Sequence, residues 1–180
     1  YSDFGDLEIR KKYLDGPVII SASMFINDKA EKYQLEIDLK PALDYNTLDR
    51  RLLRDFEKYS NKYFGNSLDD LLPQKMIPVI IKRASINYKK TVNQITAEER
   101  QELIYLLKNL KLNIKSKKGF ERAVVTRGGV CTEEINPKTM ESKICKNLYF
   151  AGEVIDVAAM TGGFNLQIAF STGYKAGNSI

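Results

Sequence analysis

The chain has 180 residues, 43% of them hydrophobic and 28% charged, with a formal net charge of +5. That length suits one compact domain or two small ones and allows roughly 70% of the unfolded surface to be buried, so a core needs no metal or disulfide staple. Having no histidine, the chain cannot run a Ser-His-Asp or Cys-His relay or hold a His-ligated zinc, and Cys131 and Cys145 are too sparse for a CxxC pair, a four-cysteine zinc site or a disulfide scaffold.

In chain order, Gly16-Pro17 opens an apolar run through Val18, Ile19, Ile20, Met24 and Phe25 that predicts a largely buried helix over 16–28, with proline at a natural first position. Tyr33 to Leu39 alternates with period two and stops at Pro41, which predicts a strand with one buried face. From Asn46, a candidate N-cap, Leu48, Leu52, Phe56, Tyr59 and Tyr63 recur at helical spacing between charged residues, so an amphipathic surface helix follows. Ser67-Leu68-Asp69-Asp70 predicts a short helix interrupted by Pro73, and Pro78 starts another carrying Val79, Ile80 and Ile81. Thr96-Ala97-Glu98-Glu99 is a capping box for a helix whose apolar side is Leu103, Ile104, Leu106, Leu107 and Leu110.

After Gly119 the texture changes. Ala123-Val124-Val125 reads as a strand, Arg127-Gly128-Gly129-Val130 as a tight bend, and Glu134 to Glu141 as two short strands around an Asn-Pro turn. Asn147 to Glu153 reads as a buried apolar strand ending on glycine and a carboxylate, and a glycine-rich loop then leads into the last helix. The polar run Lys115-Ser116-Lys117-Lys118-Gly119 marks a boundary, giving an expected division into 1–118 and 119–180. The excess charge lies in the first part, with 22 Lys and Arg against 17 Asp and Glu, whereas the second holds six of each. The lysines at the boundary lack the aromatic and arginine interleaving of a nucleic-acid groove, so a solvated connector is the expected reading and nucleic acid is not an expected partner.

No stretch approaches the about eighteen apolar residues of a membrane span, no signal-peptide pattern opens the chain, and cysteines are few, so a cytoplasmic protein with no membrane partner and no metal is expected. The chain opens at Tyr1 without methionine and closes within a helical pattern, from which a piece of a longer polypeptide is expected.

Chemistry concentrates near the end. Gly152-Glu153 and Asp156 sit where a strand gives way to a loop, and Thr161-Gly162-Gly163-Phe164-Asn165-Leu166-Gln167 carries paired glycines into a helix start. Free N–H groups and the positive helix end face whatever lies above the glycines, which let an anionic or electron-rich ligand come close to the backbone. Carboxylates at the carboxyl end of a buried strand are where open α/β sheets grip ligand hydroxyls. Ala169, Gly173 and Gly177 form a small-residue stripe that suits close packing.

The same residues carry a resemblance. Gly128-Gly129-Val130, then Glu134 to Ser142, then Leu148-Tyr149-Phe150-Ala151-Gly152-Glu153 through Gln167 resemble the C-terminal signature of the YhiN or BaiN type of flavoprotein; Gly16-Pro17-Val18-Ile19 resembles a helix start in its inserted domain. The resemblance implies a mixed α+β and α/β fold, a fragment of a two-dinucleotide-binding-type flavoprotein. Residues 1–118 would be part of a mixed strand and helical inserted substrate domain, and 119–180 the closing strands and helix of the FAD domain. It implies an FAD-dependent oxidoreductase that takes hydride from NAD(P)H and passes it through flavin to a small organic substrate.

Gly152, Glu153 and Asp156 would approach the ribityl and pyrophosphate, Thr161, Gly162, Gly163, Asn165, Leu166 and Gln167 would line the flavin, and Gly129-Val130 would pass its other edge; catalytic residues stay unnamed. The strand, Gly-x-Gly-x-x-Gly and helix unit that holds the ADP half is missing, so its partner would be that N-terminal part and the isolated fragment is expected to be inactive. Ala158 and Ala159 stand where relatives often carry Asp-Gly, and Phe164 where they often carry tyrosine. Two rival readings are a stand-alone binding or interaction module whose basic helical part contacts nucleic acid or a partner protein, and an FAD-independent nucleotide binder using Gly162-Gly163.

Overall fold

The computed structural model describes residues 1–26 and 29–180. It is a mixed α/β structure that divides into two compact units, Gln34–Asn113 and a second formed by Tyr1–Tyr33 with Ile114–Ile180. The division by packing therefore does not follow the single boundary expected after residue 118: residues 1–33 pack with the C-terminal stretch.

In the unit Gln34–Asn113, β3 (Gln34–Ile37) pairs antiparallel with β4 (Leu110–Asn113), with Ile37 opposite Leu110. Helices α2 (Tyr45–Lys58), α3 (Ile77–Arg83) and α4 (Ala97–Lys108) complete it. The amphipathic spacing in α2 buries Leu48, Leu52 and Phe56 against Leu103, Ile104 and Leu107 of α4, with Phe64, Leu68 and Ile80 closing the same core. The N-cap of α2 is Asp44, not Asn46: its carboxylate accepts the Thr47 amide at 2.6 Å, the spacing that satisfies an orphan N–H.

Around Ser67 the expected short helix is a turn, preceded by a 3-10 turn at Phe64–Asn66; the buried Ser67 hydroxyl donates to the Phe64 carbonyl and so competes with helical pairing. The capping box of α4 forms as predicted, with Thr96 and Glu99 exchanging hydrogen bonds. Leu110, expected on that helix, instead begins β4, because α4 ends at Lys108 with Asn109 as its C-cap and the following residues pair with β3.

In the other unit, β1 (Glu8–Ile9) and β2 (Leu14–Asp15) form a small hairpin leading into α1 (Pro17–Ser23). This helix is shorter and less buried than expected. Met24, Phe25 and Ile26 donate to carbonyls three residues back, a tightened turn that ends α-helical winding, and only Ser21 is buried. Asn27 and Asp28 lie outside the described residues.

No strand forms at 123–125 or 147–153. Val124 is exposed, Tyr149 makes only an isolated bridge to Glu141, and a 3-10 turn occupies Gly152–Val154. The apolar pattern is present, but a strand needs paired neighbours along its length: Leu148 and Phe150 exchange backbone hydrogen bonds only with Ser142 and Met140, and no bridge forms at 123–125. The Asn136-Pro137 turn forms with a single bridge, Ile135 to Ser142, in place of two strands. The chain closes with α5 (Phe164–Gly177). No described helix is long and apolar enough to cross a membrane.

Candidate functional site

The site is built around the start of α5. Gly162 and Gly163 have φ of +129° and +89°, and Gly163 is the N-cap in a left-handed conformation that disfavours side chains. A Cβ at Gly163 would meet nothing within 4 Å. No side chain caps the helix, no acidic residue lies in its first turn, and the amides of Phe164, Asn165 and Leu166 have no acceptor among the described residues. The result is a helix end with unsatisfied donors and its positive dipole end open to an anion or an electron-rich ring.

The loop before it is held by polar pins. The Asn165 side chain accepts the Ala159 amide at 2.8 Å and donates to the Ala159 carbonyl at 2.7 Å. Its amide is thus spent on positioning the loop 156–160 and is not a free ligand group. Thr161 docks on α1: its hydroxyl lies 2.9 Å from that of the buried Ser21, and its amide donates to the same oxygen at 3.3 Å. Gln167 donates to Ser171 along the helix, and the Leu166 side chain is exposed.

Two further predicted segments meet beside this loop. Val130 donates to the Val154 carbonyl at 2.8 Å and accepts from the Asp156 amide at 2.9 Å, a parallel bridge that lays Gly129-Val130 along Ile155. Gly129 is required by contact as well as by its φ of +155°: a Cβ there would run into the Val154 carbonyl. Gly152 donates to the Thr172 hydroxyl on α5, and its backbone lies against Ala169. Glu153 is not free, since one carboxylate oxygen accepts both the amide and the hydroxyl of Thr126, at 2.7 and 3.1 Å.

Asp156 is exposed and lines an open cleft of about 600 Å³ with Met24, Phe25, Arg127, Val157 and Met160. Sequence reasoning missed five of these residues as parts of the site, Met24, Phe25, Arg127, Val157 and Met160, together with Thr126 and Ser21. Arg127 had a visible signal in its place before Gly128-Gly129; the α1 residues had none, because only the fold brings them to the loop. Its guanidinium donates to the Met24 carbonyl at 3.1 Å, tying the end of α1 to the glycine bend. Both cysteines are exposed, and no group of three or more His, Cys, Asp or Glu residues suited to a metal occurs among the described residues.

The arrangement is a glycine cradle at a bare helix end beside a cleft with apolar and charged walls, in a chain of mixed α/β type. The profile of the HI0933-like protein Rossmann domain matches residues 22–179, and the chain belongs to that family, the YhiN or BaiN type of flavoprotein resembled by its sequence. Among curated relatives, a 3-dehydro-bile acid delta(4,6)-reductase of Clostridium scindens is 28% identical over 180 residues, covering 98% of this chain and 44% of the relative. Ribosomal RNA dihydrouridine synthases of Escherichia coli and Haemophilus influenzae are each 28% identical, over 167 and 179 residues, covering 93% and 99% of this chain and 40% and 43% of theirs. The chain thus spans less than half the length of these relatives.

Proposed function

We propose that this chain supplies the C-terminal part of an FAD-dependent oxidoreductase that works in the cytoplasm. The reading rests on one observation above the others: the Gly162–Gly163 cradle, with positive φ, open space where a Cβ would stand, and unsatisfied amides at the start of α5. These features fit a flavin, whose ring and phosphates present acceptors and gather negative charge on reduction. Bound FAD would supply the hydride chemistry, accepting hydride from NAD(P)H and delivering it to an organic substrate.

This chain's own residues bind and orient. The amides of Phe164 to Leu166 offer donors to the ring edge, Gly162 and Gly163 permit close approach, and Asn165 and Thr161 hold the loop that walls the ring. Gly152, Glu153 and Asp156 face the ribityl and pyrophosphate side, Glu153 through the carboxylate oxygen that Thr126 leaves free. Gly129-Val130 flank the opposite edge, and the cleft beside Asp156 and Arg127 takes the substrate. Residues 119–180 belong to the FAD domain and the helical unit of residues 34–113 to the inserted substrate domain. An N-terminal dinucleotide-binding part of the same protein is the required partner, and without it the chain is inactive.

The names of the relatives describe reduction of an unsaturated small molecule in one case and formation of dihydrouridine in ribosomal RNA in the others. The test therefore has two substrate arms. The complete protein is purified, its visible flavin absorption recorded, and NADH or NADPH oxidation followed with a conjugated enone and with ribosomal RNA. Flavin absorption bleached by nicotinamide and restored by either substrate is the expected result. A complete protein that carries no flavin and takes up none overturns the reading.

A further inference from the structure

The two flanks of α2 differ in charge. At about 3.6 residues per turn, Arg50, Arg51, Arg54 and Lys58 fall within roughly 100° of arc on one side of its buried stripe, whereas Asp49, Leu53 and Glu57 line the other. Two lysines join the basic side. The Lys40 ammonium lies close enough to Arg51 for the two charges to interact, and Lys62 shares the Tyr59 ring with Lys58, at 4.4 Å from its centre against 4.7 Å. The acids that touch this side are already used within the fold. Asp55 is buried on Arg51 at 2.7 Å, and Asp70 accepts from Lys58 at 2.7 Å and from the Tyr59 hydroxyl at 2.5 Å. Arg50, Arg54 and Lys62 are exposed and have no carboxylate oxygen within 4 Å among the described residues.

The surplus is felt at Lys40, whose ammonium is held below the ordinary lysine range, by burial first and by the Arg51 charge second. Like charges held this close oppose one another, and an anion set between them removes the opposition. The chemistry of the flank narrows the choice of anion. Arginine forks match phosphate, which they grip through two parallel N–H bonds. Arg50, Arg54 and Lys58 recur every four residues, about 6 Å apart along the helix axis, so the charges form a line and not a pocket. A membrane surface or an acidic peptide would want apolar anchors among the charges, but the exposed large apolar side chains of α2, Tyr45 and Leu53, sit on its other side. Arginine and tyrosine interleave with lysine here, the pattern that the lysines at 115–118 lack.

We propose that the basic flank of α2, with Lys40 and Lys62 beside it, is a docking surface for the phosphate backbone of a nucleic-acid strand. Contacts to phosphate position a strand without reading its sequence. Part of the surface is set before a strand arrives: Asp70 holds the Lys58 ammonium and the Tyr59 hydroxyl, and Arg51 is fixed by Asp55 and by the Asp70 carbonyl at 3.2 Å. Nothing in this surface depends on flavin, and it lies wholly within the Gln34–Asn113 unit, whose core is closed by that unit's own residues.

The test is fluorescence anisotropy of the complete protein with a labelled oligouridylate of about twelve nucleotides, the span of a single-strand site. Binding is followed from about 50 to 200 mM salt, and the logarithm of the association constant should fall against that of salt with a slope of roughly −3 to −4, about −0.7 for each of four to six phosphates neutralised. Arg50→Gln together with Arg54→Gln removes two exposed cations that hold no carboxylate, so the urea midpoint stays at the parent value. This pair makes the slope shallower by about 1.4 and weakens binding roughly 10- to 100-fold at the low-salt end. Lysine at both positions keeps the slope. Lys82→Gln with Lys111→Gln takes the same charge from α3 and β4 and leaves binding near the parent value. No binding at about 50 mM salt overturns the proposal, as does an equal loss in the two glutamine pairs, which would make net charge the whole effect. Competition by poly-glutamate or by phosphatidylserine vesicles as effective as by unlabelled oligonucleotide overturns it too, making an acidic polypeptide or a membrane surface the occupant. Visible absorption of the same samples separates this surface from the proposed chemistry: a strand bound without flavin leaves the surface standing and removes the flavin assignment, and flavin without strand binding does the reverse.

Discussion

Gly163→Asn separates what the backbone of the α5 start needs from what a ligand there needs. Gly163 sits at φ +89° and ψ −7°, a left-handed conformation that asparagine tolerates better than other side chains, and asparagine is at least as good an N-cap as glycine. Its Cβ meets nothing in the protein within 4 Å. Folding stability is therefore expected to stay within about 0.5 kcal/mol of the parent, the span of ordinary surface changes. A ligand that lies on the backbone does meet that Cβ, and the asparagine side chain competes for the same amides. Losing one charge-assisted hydrogen bond costs about 1.5–3 kcal/mol, or roughly 10- to 150-fold in the FAD dissociation constant.

Gly163→Ala is the control: it also adds a Cβ but suffers about 1–2 kcal/mol of left-handed strain. Flavin fluorescence titration and urea denaturation of the complete protein read the two quantities apart. Both variants should weaken FAD, and only the alanine variant should lose stability. An asparagine variant that binds FAD like the parent refutes the cradle, and a loss confined to the alanine variant makes backbone strain the whole effect.

Three further outcomes follow from the same contacts. Asn165→Ala removes both hydrogen bonds that pin the loop at Ala159, together about 1–3 kcal/mol of local stability, so exchange of the Ala159 amide should accelerate while amides of α4 keep their protection. Leu107→Ala, at a fully buried position in the core of the Gln34–Asn113 unit, should cost about 2–5 kcal/mol, read from the urea midpoint of that unit's transition. The Lys90 ammonium, and then the Thr96 amide, hold the Glu99 carboxyl below the usual carboxylate range. A folded-state pKa below the unfolded one stabilises above the ordinary glutamate value and is lost as pH falls through the lowered value, so the parent should lose stability in acid more steeply than Glu99→Gln; equal slopes on the acid side would remove Glu99 from the account.

What could be read from the sequence was what is local. The Thr96 and Glu99 capping box needs only a four-residue spacing, and the apolar stripe of α2 needs only its own period, so both appear where expected. β4 escaped because Leu110 continues the apolar spacing of α4, and nothing nearby reveals that Leu110–Asn113 pairs with Gln34–Ile37, far back along the chain. The choice of Asp44 over Asn46 as N-cap is of the same kind: both residue types cap well, and the helix start decides which one reaches the Thr47 amide. In the candidate site the glycines were legible because their conformational freedom is a property of the residue. The roles of Asn165 and Glu153 were not: both are polar groups facing a ligand in a one-dimensional reading, and both are partly used within the protein, on Ala159 and Thr126.

The failure at 147–153 has a different cause, which bears on how the site is held. The segment Leu148-Tyr149-Phe150-Ala151 has the composition of a buried parallel strand, yet Leu148 is 43% exposed and the bridge at Tyr149 is isolated. A strand of that composition is stable only between neighbours, since each edge leaves amides and carbonyls that need partners. The glycine loop it leads to is therefore positioned from the other side, by Thr161 on Ser21, by Asn165 on Ala159 and by Arg127 on the Met24 carbonyl. Such polar pins set geometry well but contribute only about 0.5–1.5 kcal/mol each, whereas burying one large apolar side chain contributes about 1.5–3. The unit that carries the candidate site therefore holds its loop by polar pins around a small buried cluster, and leaves Leu148 and an apolar row of α5 exposed.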